Sequence, residues 1–460
     1  MKSLKKILAI VLATCMSAGI FAGCGGSGGG EAAPSESSGG EATPASSEAA
    51  PPASGDSGES FELKLFHKWP EIGKGRDYFE AAVAAYEEAN PNVKVTIECV
   101  SDEEAKSKLR VMMGADSQPD VYFSWCGEFC YKFARAGNAW DMTEYLNNDP
   151  EWKDSIMPST LNSYTMDGKV YGIPFRLIGK LFVYNKQIFA DNGITEAPKT
   201  WDELMATCEK LKGAGVTPIA FGNLQPWPAC HYITGFNVAC VPSDVRMTDY
   251  NYETGEFTDP GYITALNYLK EFNDKGYFNN GVNSMIHAVA SENFKAGKAA
   301  MFYCETGEFG GLVDQGLEIG VFPMPDVEGN GDKGYIVGAP DGFMVSSTST
   351  IPEEAIKFLK YITNMENQEF MVKTLAWPSP VIGATNESVA PTYIMEGMKR
   401  LEEADGMALW LDTDINAKIS DVWLPGLQEI LNGTITPEEL MKKVQEMAAE
   451  VKGLAEAGQL

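Results

Sequence analysis

Histidine and positive charge are both scarce in this chain. Its 460 residues include three histidines, and 36 Lys and Arg residues stand against 64 Asp and Glu residues, which leaves a formal net charge of −28. An acidic surface of this kind repels polyanions. A role in binding nucleic acid is therefore disfavoured, and so is attraction to anionic lipid headgroups.

The sequence also lacks the common spacings of metal and nucleotide sites. None of the nine cysteines forms a CxxC pair, and although Cys126 and Cys130 stand four residues apart, histidine partners are too few to favour a zinc site. No GxxxxGK[ST] loop is present to bind ATP. We expect no metal and no cofactor. The cysteines after residue 60 are odd in number, so at least one is unpaired, and we interpret them as small buried hydrophobic residues.

After the first residues, the sequence has no apolar run as long as the about 20 residues that a membrane span needs. Hydrophobic residues nevertheless make up 44% of the chain, which is enough for packed cores. Once the first 60 residues are set aside, about 400 remain, more than a single hydrophobic core usually serves. We therefore expect two lobes.

The first 24 residues have the three parts of a secretory signal. Three lysines precede an apolar run over residues 7–14, and the small residues Ala22 and Gly23 stand before Cys24. A cysteine at the cut point resembles the lipobox of bacterial lipoproteins, although Phe21 stands where that motif usually has leucine. The resemblance implies that residues 1–23 are removed and that Cys24 carries lipid. An ordinary signal peptide with an incidental cysteine is the alternative.

Residues 24–60 follow as a stretch of Gly, Ser, Ala, Pro and Glu, with no large apolar residue after Cys24. Such a composition cannot offset the entropy of ordering, so it predicts a flexible tether. The folded body begins near Phe61, where apolar and polar residues alternate as in a strand. Helical spacing follows over residues 79–86 and a second alternation over residues 93–97. Strand, helix, strand predicts a parallel sheet flanked by helices.

Several stretches, in this order along the chain, resemble the extracellular solute-binding proteins of ABC importers, the sugar-binding family that includes maltose-binding protein. They are FHKW (66–69), NPNVKV (90–95), PDVYF (119–123), DGKVYGIPF (167–175), YNK (184–186), PKTWDEL (198–204), FKAGKAAM (294–301), FPMP (322–325) and the helix predicted over residues 353–361. Together they cover nearly all of residues 61–460.

The resemblance implies an α/β, two-lobe periplasmic-binding-protein fold (type II), in which each lobe is a mostly parallel sheet flanked by helices. Lobe 1 would take residues 61–175 plus 335–380, and lobe 2 residues 176–334 plus 381–460. The implied function is the capture of a sugar in the cleft between the lobes, without chemistry, and its delivery to ABC permease subunits. The many aromatic residues favour an oligosaccharide, and we expect a monomer held at the extracellular face of the membrane by its lipid, with the periplasm as the alternative location.

A sugar site combines aromatic rings, which stack on C–H faces, with charged groups that bind hydroxyls. In this fold such side chains lie on loops at the carboxyl ends of strands. Core packing is the alternative for Trp69 and Trp423, and a structural salt bridge is the alternative for Arg176. Trp140 and Trp201 are assigned to packing, and His231 and His287 to the surface or the core. The ligand-binding candidates are Trp69, Trp125, Trp227, Phe309, Trp377 and Trp423 among the aromatics, and His67, Glu128, Arg176 and Asp341 among the polar residues, with Glu305 and Glu308 beside Phe309.

Three other functions remain open from the sequence. The same fold could bind a peptide, a polyamine or a metal complex. A secreted carbohydrate-active enzyme would need a pair of carboxylates, which so acidic a chain supplies easily but without a local signature. A surface adhesin or sensor is the third.

The lipobox yields a direct prediction about Cys24. Replacing Cys24 by Ser removes the sulfur that would carry the lipid, and we expect the protein to move from the membrane fraction to the medium. Immunoblotting of both fractions measures the change, with Cys99→Ser as the matched control. Retention of Cys24→Ser in the membrane fraction would contradict the anchor.

Overall fold

The computed structural model describes residues 60–114, 118–313 and 316–460. The predicted signal, Cys24 and the tether before Ser60 lie outside the described residues. Residues Phe61–Leu460 form one compact unit. Within the described residues, no helix is both long and apolar enough to cross a bilayer.

The strands are β1 (Phe61–His67), β2 (Val93–Cys99), β3 (Val121–Trp125), β4 (Thr165–Met166), β5 (Lys169–Val170), β6 (Ile173–Asn185), β7 (Thr217–Ala220), β8 (Ala299–Glu305), β9 (Ile319–Phe322), β10 (Tyr335–Val345) and β11 (Gly406–Ala408). The helices of the first half are α1 (Gly75–Ala89), α2 (Asp102–Gly114), α3 (Glu128–Arg135), α4 (Thr143–Asn148), α5 (Pro150–Ser155), α6 (Pro158–Asn162), α7 (Lys186–Asp191) and α8 (Trp201–Gly213). Those of the second half are α9 (Trp227–Cys240), α10 (Ser243–Tyr250), α11 (Gly261–Asp274), α12 (His287–Lys295), α13 (Phe309–Val313), α14 (Pro352–Ile362), α15 (Met365–Leu375), α16 (Thr392–Glu403), α17 (Leu411–Asp414), α18 (Ala417–Leu431) and α19 (Pro437–Glu456).

The main sheet has the strand order β2-β1-β3-β10-β6-β8-β7. Its outer pairs are parallel: β1 pairs with β2 and β3 on one side, and β7 pairs with β8 on the other. The long strands β6 and β10 pair antiparallel with each other and with their neighbours β8 and β3. The predicted strand–helix–strand unit is confirmed as β1, α1 and β2, and the sheet as a whole is mixed because its two central strands run antiparallel to their neighbours.

Two large apolar cores lie on either side of these central strands. The first core packs β1, β3, α1 and α14 together, and the second packs α8, α9, α11, α18 and α19. A smaller core joins β6 and β8 to α12 and α16. We call the elements around the first core the first lobe and those around the second core the second lobe; the residue boundaries given above for the lobes remain a prediction.

Local sequence signals set several helix starts. Thr200 and Thr436 each accept the backbone N–H of a glutamate three residues later, and that glutamate's side chain accepts the backbone N–H of the threonine. These capping boxes satisfy amides that the first turn of a helix leaves unpaired. They fix the starts of α8 and α19.

Most of the described cysteines lie in the cores, and the two tryptophans assigned to packing lie against them. Trp201 makes edge contacts with Phe236, Tyr268 and Phe272 at centroid distances of 5.0–5.7 Å, and Trp140 packs against the first core. The described cysteines are all free, and within the described ranges no group of three or more His, Cys, Asp or Glu side chains is placed to hold a metal ion. The free cysteines are Cys99, which is partly exposed, and the buried Cys126, Cys130, Cys208, Cys230, Cys240 and Cys304.

The position of Trp423 contradicts the expectation that it binds a ligand. Its side chain is fully buried in the second core, on α18, with its ring edge towards Tyr262 at a centroid distance of 6.3 Å. It packs between helices instead of facing a cleft. A helical stripe of apolar residues shows which face is buried, but it does not show whether a cleft or a neighbouring helix covers that face.

We therefore expect Trp423→Ala to reduce stability without acting on a ligand site. Removal of a fully buried indole leaves a cavity and should lower the free energy of unfolding by about 3–5 kcal/mol. Urea denaturation monitored by circular dichroism measures the loss. Trp423→Phe keeps most of the buried surface and should lose clearly less; an equal loss would show that packing is not the cause.

Candidate functional site

The two central strands bring charged residues from distant parts of the chain to one place. Asp341 on β10 lies opposite Trp125 at the end of β3 and opposite Arg176 on β6. β1 ends at His67, beside β3, so that Lys68 and Trp69 leave the sheet at the same edge. This is the carboxyl edge of β1 and β3, where ligand sites of open α/β sheets lie.

Asp341 is the charged centre of this edge. Its side chain is 1% exposed, and its Oδ2 lies 2.7 Å from Arg176 Nε and 3.4 Å from Lys68 Nζ. Lys68 Nζ in turn lies 2.6 Å from Asp102 Oδ1, and Arg176 Nη2 lies 3.8 Å from Glu305 Oε2. Burial works against the charge on Arg176, but Asp341 and then Glu305 raise its pKa overall. The guanidinium therefore stays charged inside the protein.

Tryptophan rings surround these cations. The Arg176 guanidinium carbon lies 5.2 Å from the Trp69 ring centroid and 4.5 Å from that of Trp377. Lys68 Nζ lies 4.6 Å from the Trp125 ring centroid, and Lys106 Nζ lies 5.1 Å from the same ring. Cation–π contacts of this kind stabilise both partners. The three tryptophans are 5–7% exposed, and their contact with a ligand stays a prediction.

His67 lies beneath the site and does not face it. Its ring is fully buried, stacks on Phe79 at 4.4 Å and accepts the Trp69 backbone N–H at Nδ1. Burial, and then the charge of Arg76, lower the pKa of His67 to about 3, so the ring is neutral. The expectation that His67 contacts a ligand is wrong because the aromatic layer around Trp69 and Phe79 encloses it.

Trp227 joins the second lobe to the first. It begins α9, and its Nε1 donates to Glu103 Oε1 on α2 at 3.0 Å. Its ring centroid lies 5.1 Å from that of His231 and 4.6 Å from that of His287, while Lys180 Nζ lies 4.8 Å from it. Trp227 is partly exposed, in keeping with a place at a cleft wall.

Two glutamates, Glu305 at the end of β8 and Glu308 on the turn that follows it, are held in different environments. His287 Nε2 lies 2.9 Å from Glu308 Oε1, and Glu308 Oε2 accepts the backbone N–H of Glu305 at 2.8 Å. Burial opposes the charge on Glu308, but His287 lowers its pKa overall. Burial and then the charge of Glu308 raise the pKa of Glu305.

Together with the chain link between Asp102 and Glu103, these contacts form a closed circle of side chains, which we call the polar ring. Within it the cations are buried, with Lys68 6% and Arg176 8% exposed, while the carboxylates of Asp102, Glu308 and Glu305 are 51%, 28% and 21% exposed. The partly exposed carboxylate oxygens of the ring can therefore accept hydrogen bonds, and the compensating positive charge lies behind them. The polar ring consists of Lys68, Asp102, Glu103, Arg176, Trp227, His287, Glu305, Glu308 and Asp341.

A second layer of side chains supports the ring. Lys180 lies four residues after Arg176 on β6, hence on the same face of the strand, and its Nζ lies 2.9 Å from His231 Nδ1. His231 stacks on Trp410 with a centroid distance of 4.1 Å. Lys106 of α2 bonds Asp412 of α17 at 2.6 Å.

Among the supporting residues, Lys106, Lys180, Trp410 and Asp412 were not ligand-binding candidates from the sequence, and neither were Lys68, Asp102 and Glu103 of the ring. His231 was assigned to the surface or the core. The structure buries it, but against Lys180 at the site. Strand alternation from Arg176 to Lys180, and the four-residue step from Asp102 to Lys106, were the signals available.

Two further candidates lie away from the polar ring. Phe309 is fully buried in the smaller core and lies against Gly397 of α16, so the expectation of a ligand contact is wrong. Glu128 begins α3 and forms an ion pair with Arg135. It lines a separate cavity of about 630 Å³.

Comparison with known proteins agrees with this arrangement. The family model described as bacterial extracellular solute-binding protein matches residues 71–369. The chain belongs to this family, whose members serve ABC importers by binding a small solute and presenting it to a permease. The implied two-lobe fold and the substrate-binding role are thereby confirmed.

Individual relatives are similar over most of their length. An uncharacterised ABC transporter extracellular-binding protein of Pyrococcus horikoshii is 28% identical over 327 residues, 69% of this chain and 71% of that protein. The multiple sugar-binding protein of Streptococcus mutans is 25% identical over 353 residues, 72% of this chain and 78% of that protein. A solved structure of a chitin oligosaccharide binding protein has a TM-score of 0.79 and 25% identity, and the match covers 86% of this chain and 100% of that one.

The buried ion pair between Arg176 and Asp341 leads to a prediction about stability. Arg176→Met removes the closest cation from the buried Asp341 and leaves Lys68 at 3.4 Å. Breaking a buried ion pair from one side costs about 3–5 kcal/mol, whereas an exposed pair contributes about 0–1 kcal/mol. Urea denaturation should show the larger loss for Arg176→Met. The matched control is Lys199→Met, which breaks the exposed pair with Glu196. Equal losses for the two variants would contradict a structural role for the pair.

Proposed function

We propose that this protein captures a sugar, an oligosaccharide in particular, in the cleft between its lobes and delivers it unaltered to a membrane permease. The observation that carries the proposal is the polar ring, in which partly exposed carboxylates from both lobes stand beside tryptophan rings. Sugar hydroxyls donate to carboxylates with charge-assisted strength, and sugar C–H faces stack on indoles.

The names of relatives support a sugar as the ligand class. The Streptococcus mutans relative is named for binding multiple sugars, and the solved neighbour for binding chitin oligosaccharide. The partly exposed groups of the ring agree with this class: Asp102, Glu305 and Glu308 accept hydrogen bonds, which suits a ligand rich in hydroxyl donors.

The conformational change in this function would be closure of the lobes around the ligand. Contacts that join the lobes directly include Glu103 to Trp227 at 3.0 Å and Lys106 to Asp412 at 2.6 Å. A ligand shifts the balance towards the closed form only by binding that form more tightly. Contacts from both lobes to one sugar provide this difference, and the permease would read the closed arrangement.

We assign no catalysis to the site. Glu305 and Glu308 have pKa values shifted in opposite directions, as paired catalytic acids do, but Glu308 is already bonded to His287 and to the backbone of Glu305. The proposal also includes lipid attachment at Cys24, action as a monomer and docking on permease subunits at the extracellular face. Recovery of the sugar with unchanged length after binding tests the absence of hydrolysis.

A thermal-shift panel tests the proposed ligand class. It compares maltose, maltotetraose, chitobiose, chitotetraose and xylotetraose with spermidine, glycerol 3-phosphate and mixed amino acids. We expect a sugar to stabilise the wild type by about 2.7 kcal/mol at a hundredfold excess over Kd. Trp227→Ala should weaken the affinity for that sugar about tenfold, which corresponds to about 1.4 kcal/mol.

The control variant is Trp201→Ala, which removes a partly buried packing tryptophan of the same lobe. It should lower the melting temperature and leave the sugar affinity unchanged. Stabilisation by spermidine or an amino acid, with no response to any sugar, would replace the proposal by the non-sugar alternative. Unchanged affinity in Trp227→Ala would place that residue outside the site.

A further inference from the structure

Lys180 is a fully buried amino group beside the polar ring. It lies on the central strand β6, and its side chain is 1% exposed. Lysine is almost never buried to this extent unless a partner stabilises it, because the ammonium group gives up its hydration. The groups around Lys180 therefore indicate what its positive charge does in this protein.

The strand pairing places Lys180 directly opposite Glu305. β6 and β8 are antiparallel, and Lys180 pairs with Glu305 in their register. Side chains of directly opposed residues lie on the same face of the sheet, with Cβ atoms about 4.5–5.5 Å apart. Arg176 lies on this face too, four residues before Lys180, and its Nη2 is 3.8 Å from Glu305 Oε2. Two buried cations of β6 thus face Glu305.

The amino group of Lys180 contacts rings from α9 and β8. Its Nζ lies 2.9 Å from His231 Nδ1, 4.8 Å from the Trp227 ring centroid and 5.4 Å from that of Tyr303. Burial, and then the charge of Lys180, lower the pKa of His231 well below its ordinary value, so the imidazole is neutral and can accept at Nδ1. The electron-rich faces of the two aromatic rings favour the charged form of the amine. These contacts suit an ammonium group.

Lys180 and Glu305 each stabilise the charged form of the other. Burial lowers the pKa of Lys180, while the charges of Glu305 and then Glu308 oppose that shift. Burial, and then the charge of Glu308, raise the pKa of Glu305, while Arg176 and then Lys180 act in the opposite direction. An opposite charge nearby favours ionisation of a buried group. Removal of Lys180 would therefore make the carboxyl of Glu305 easier to protonate.

Other titratable and charged groups also face Lys180 and the two glutamates. Burial opposes the charge on Glu308, but His287 lowers its pKa overall, and Lys180 acts in the same direction. Burial raises the pKa values of the neighbouring thiols and phenol, which are therefore neutral near neutral pH. Lys180 thus acts on both glutamates. The facing groups are Lys68, Arg176, Cys230, His231, His287, Tyr303 and Cys304.

We propose that Lys180 is a positioning residue that keeps Glu305 an ionised hydrogen-bond acceptor and so adapts the polar ring to ligands that donate hydrogen bonds. This inference rests on the proposed function and deepens it, because it names a residue that controls the charge of the site without touching the ligand. Without this cation, Glu305 stands beside ionised Glu308 and takes up a proton more readily. A protonated carboxyl presents a donor where the ionised group offers only acceptors, and it suits hydroxyl donors less well.

The pH dependence of sugar affinity tests the role of Lys180. Isothermal titration from about pH 5 to about pH 8 uses maltotetraose, chitotetraose and xylotetraose as probes. The raised pKa of Glu305 predicts that wild-type affinity falls as the pH falls, beginning above the ordinary range of a glutamate. In Lys180→Met this fall should begin about one pH unit higher, since a nearby opposite charge lowers a carboxyl pKa by about 1–3 units. The weakening at low pH should then exceed that at high pH by about three- to tenfold.

Further variants separate an effect through Glu305 from a general loss of packing. In a Glu305→Gln background, Lys180→Met should no longer shift the pH profile, because the carboxyl is gone. Lys180→Arg keeps the charge and should restore the wild-type profile. Lys180→Gln lacks the charge but can still bond His231, and it provides the same comparison if Lys180→Met does not fold. The matched control is Lys295→Met, which removes a lysine of α12 that is 16% exposed and paired with Glu292, and it should leave the profile unchanged.

Carbon-13 NMR of labelled glutamate carboxyls provides a second readout that needs no sugar. The resonance that disappears in Glu305→Gln belongs to Glu305, and its titration should move to higher pH in Lys180→Met. An unchanged titration, or the same affinity profile in the wild type and Lys180→Met, would overturn the role of Lys180 alone. An equal shift in Lys295→Met would overturn it as well. Binding of none of the three sugars, with the titration shifted as expected, would overturn the proposed function and support the control of Glu305 by Lys180.

Discussion

The buried carboxylate of Asp341 is the constraint on which the site depends. It lies on β10, one of the two central strands, and bonds Arg176 on the other and Lys68 at the end of β1. A carboxylate that is 1% exposed is tolerated only with charged partners. Both cations must therefore stay beside it, and with them the tryptophans that cover their faces. Strand pairing and charge compensation together fix the floor of the cleft.

The positive and negative groups of the polar ring lie at different depths below the protein surface. Lys68 and Arg176 are buried together with Asp341, while their other partners Asp102 and Glu305 are partly exposed. This order makes the exposed part of the site acidic without leaving uncompensated charge inside, and it suits ligands that donate hydrogen bonds. Because Glu103 bonds Trp227 across the lobes and Lys106 bonds Asp412, side chains of the proposed ligand site also hold the lobes together. Under the proposed function, these shared residues would couple ligand binding to lobe closure.

The site could be predicted from the sequence only where a residue sits in a recognisable stretch. Arg176 follows GIPF, Asp341 lies in the segment GAPDG, and Trp227 stands in a proline-rich turn, and the structure brings all three to the ring. The predictions that His67, Phe309 and Trp423 contact a ligand were wrong. Whether a side chain is exposed depends on what covers it, and in each case the covering side chains come from distant segments. Lys180 and His231 were missed as site residues because no local pattern links two positions 51 residues apart.

By itself the sequence determined the elements and their class. Alternation and helical spacing set β1, α1 and β2, capping boxes set the starts of α8 and α19, and the chain length required more than one core, because these signals act between near neighbours or through composition alone. Only the tertiary structure decided which tryptophans lie beside the polar ring and which fill a core. It also decided that lysines and carboxylates far apart in sequence form one ring. Those outcomes depend on the pairing of β6 with β10 and on the approach of α9 to α2, which no local pattern of residues encodes.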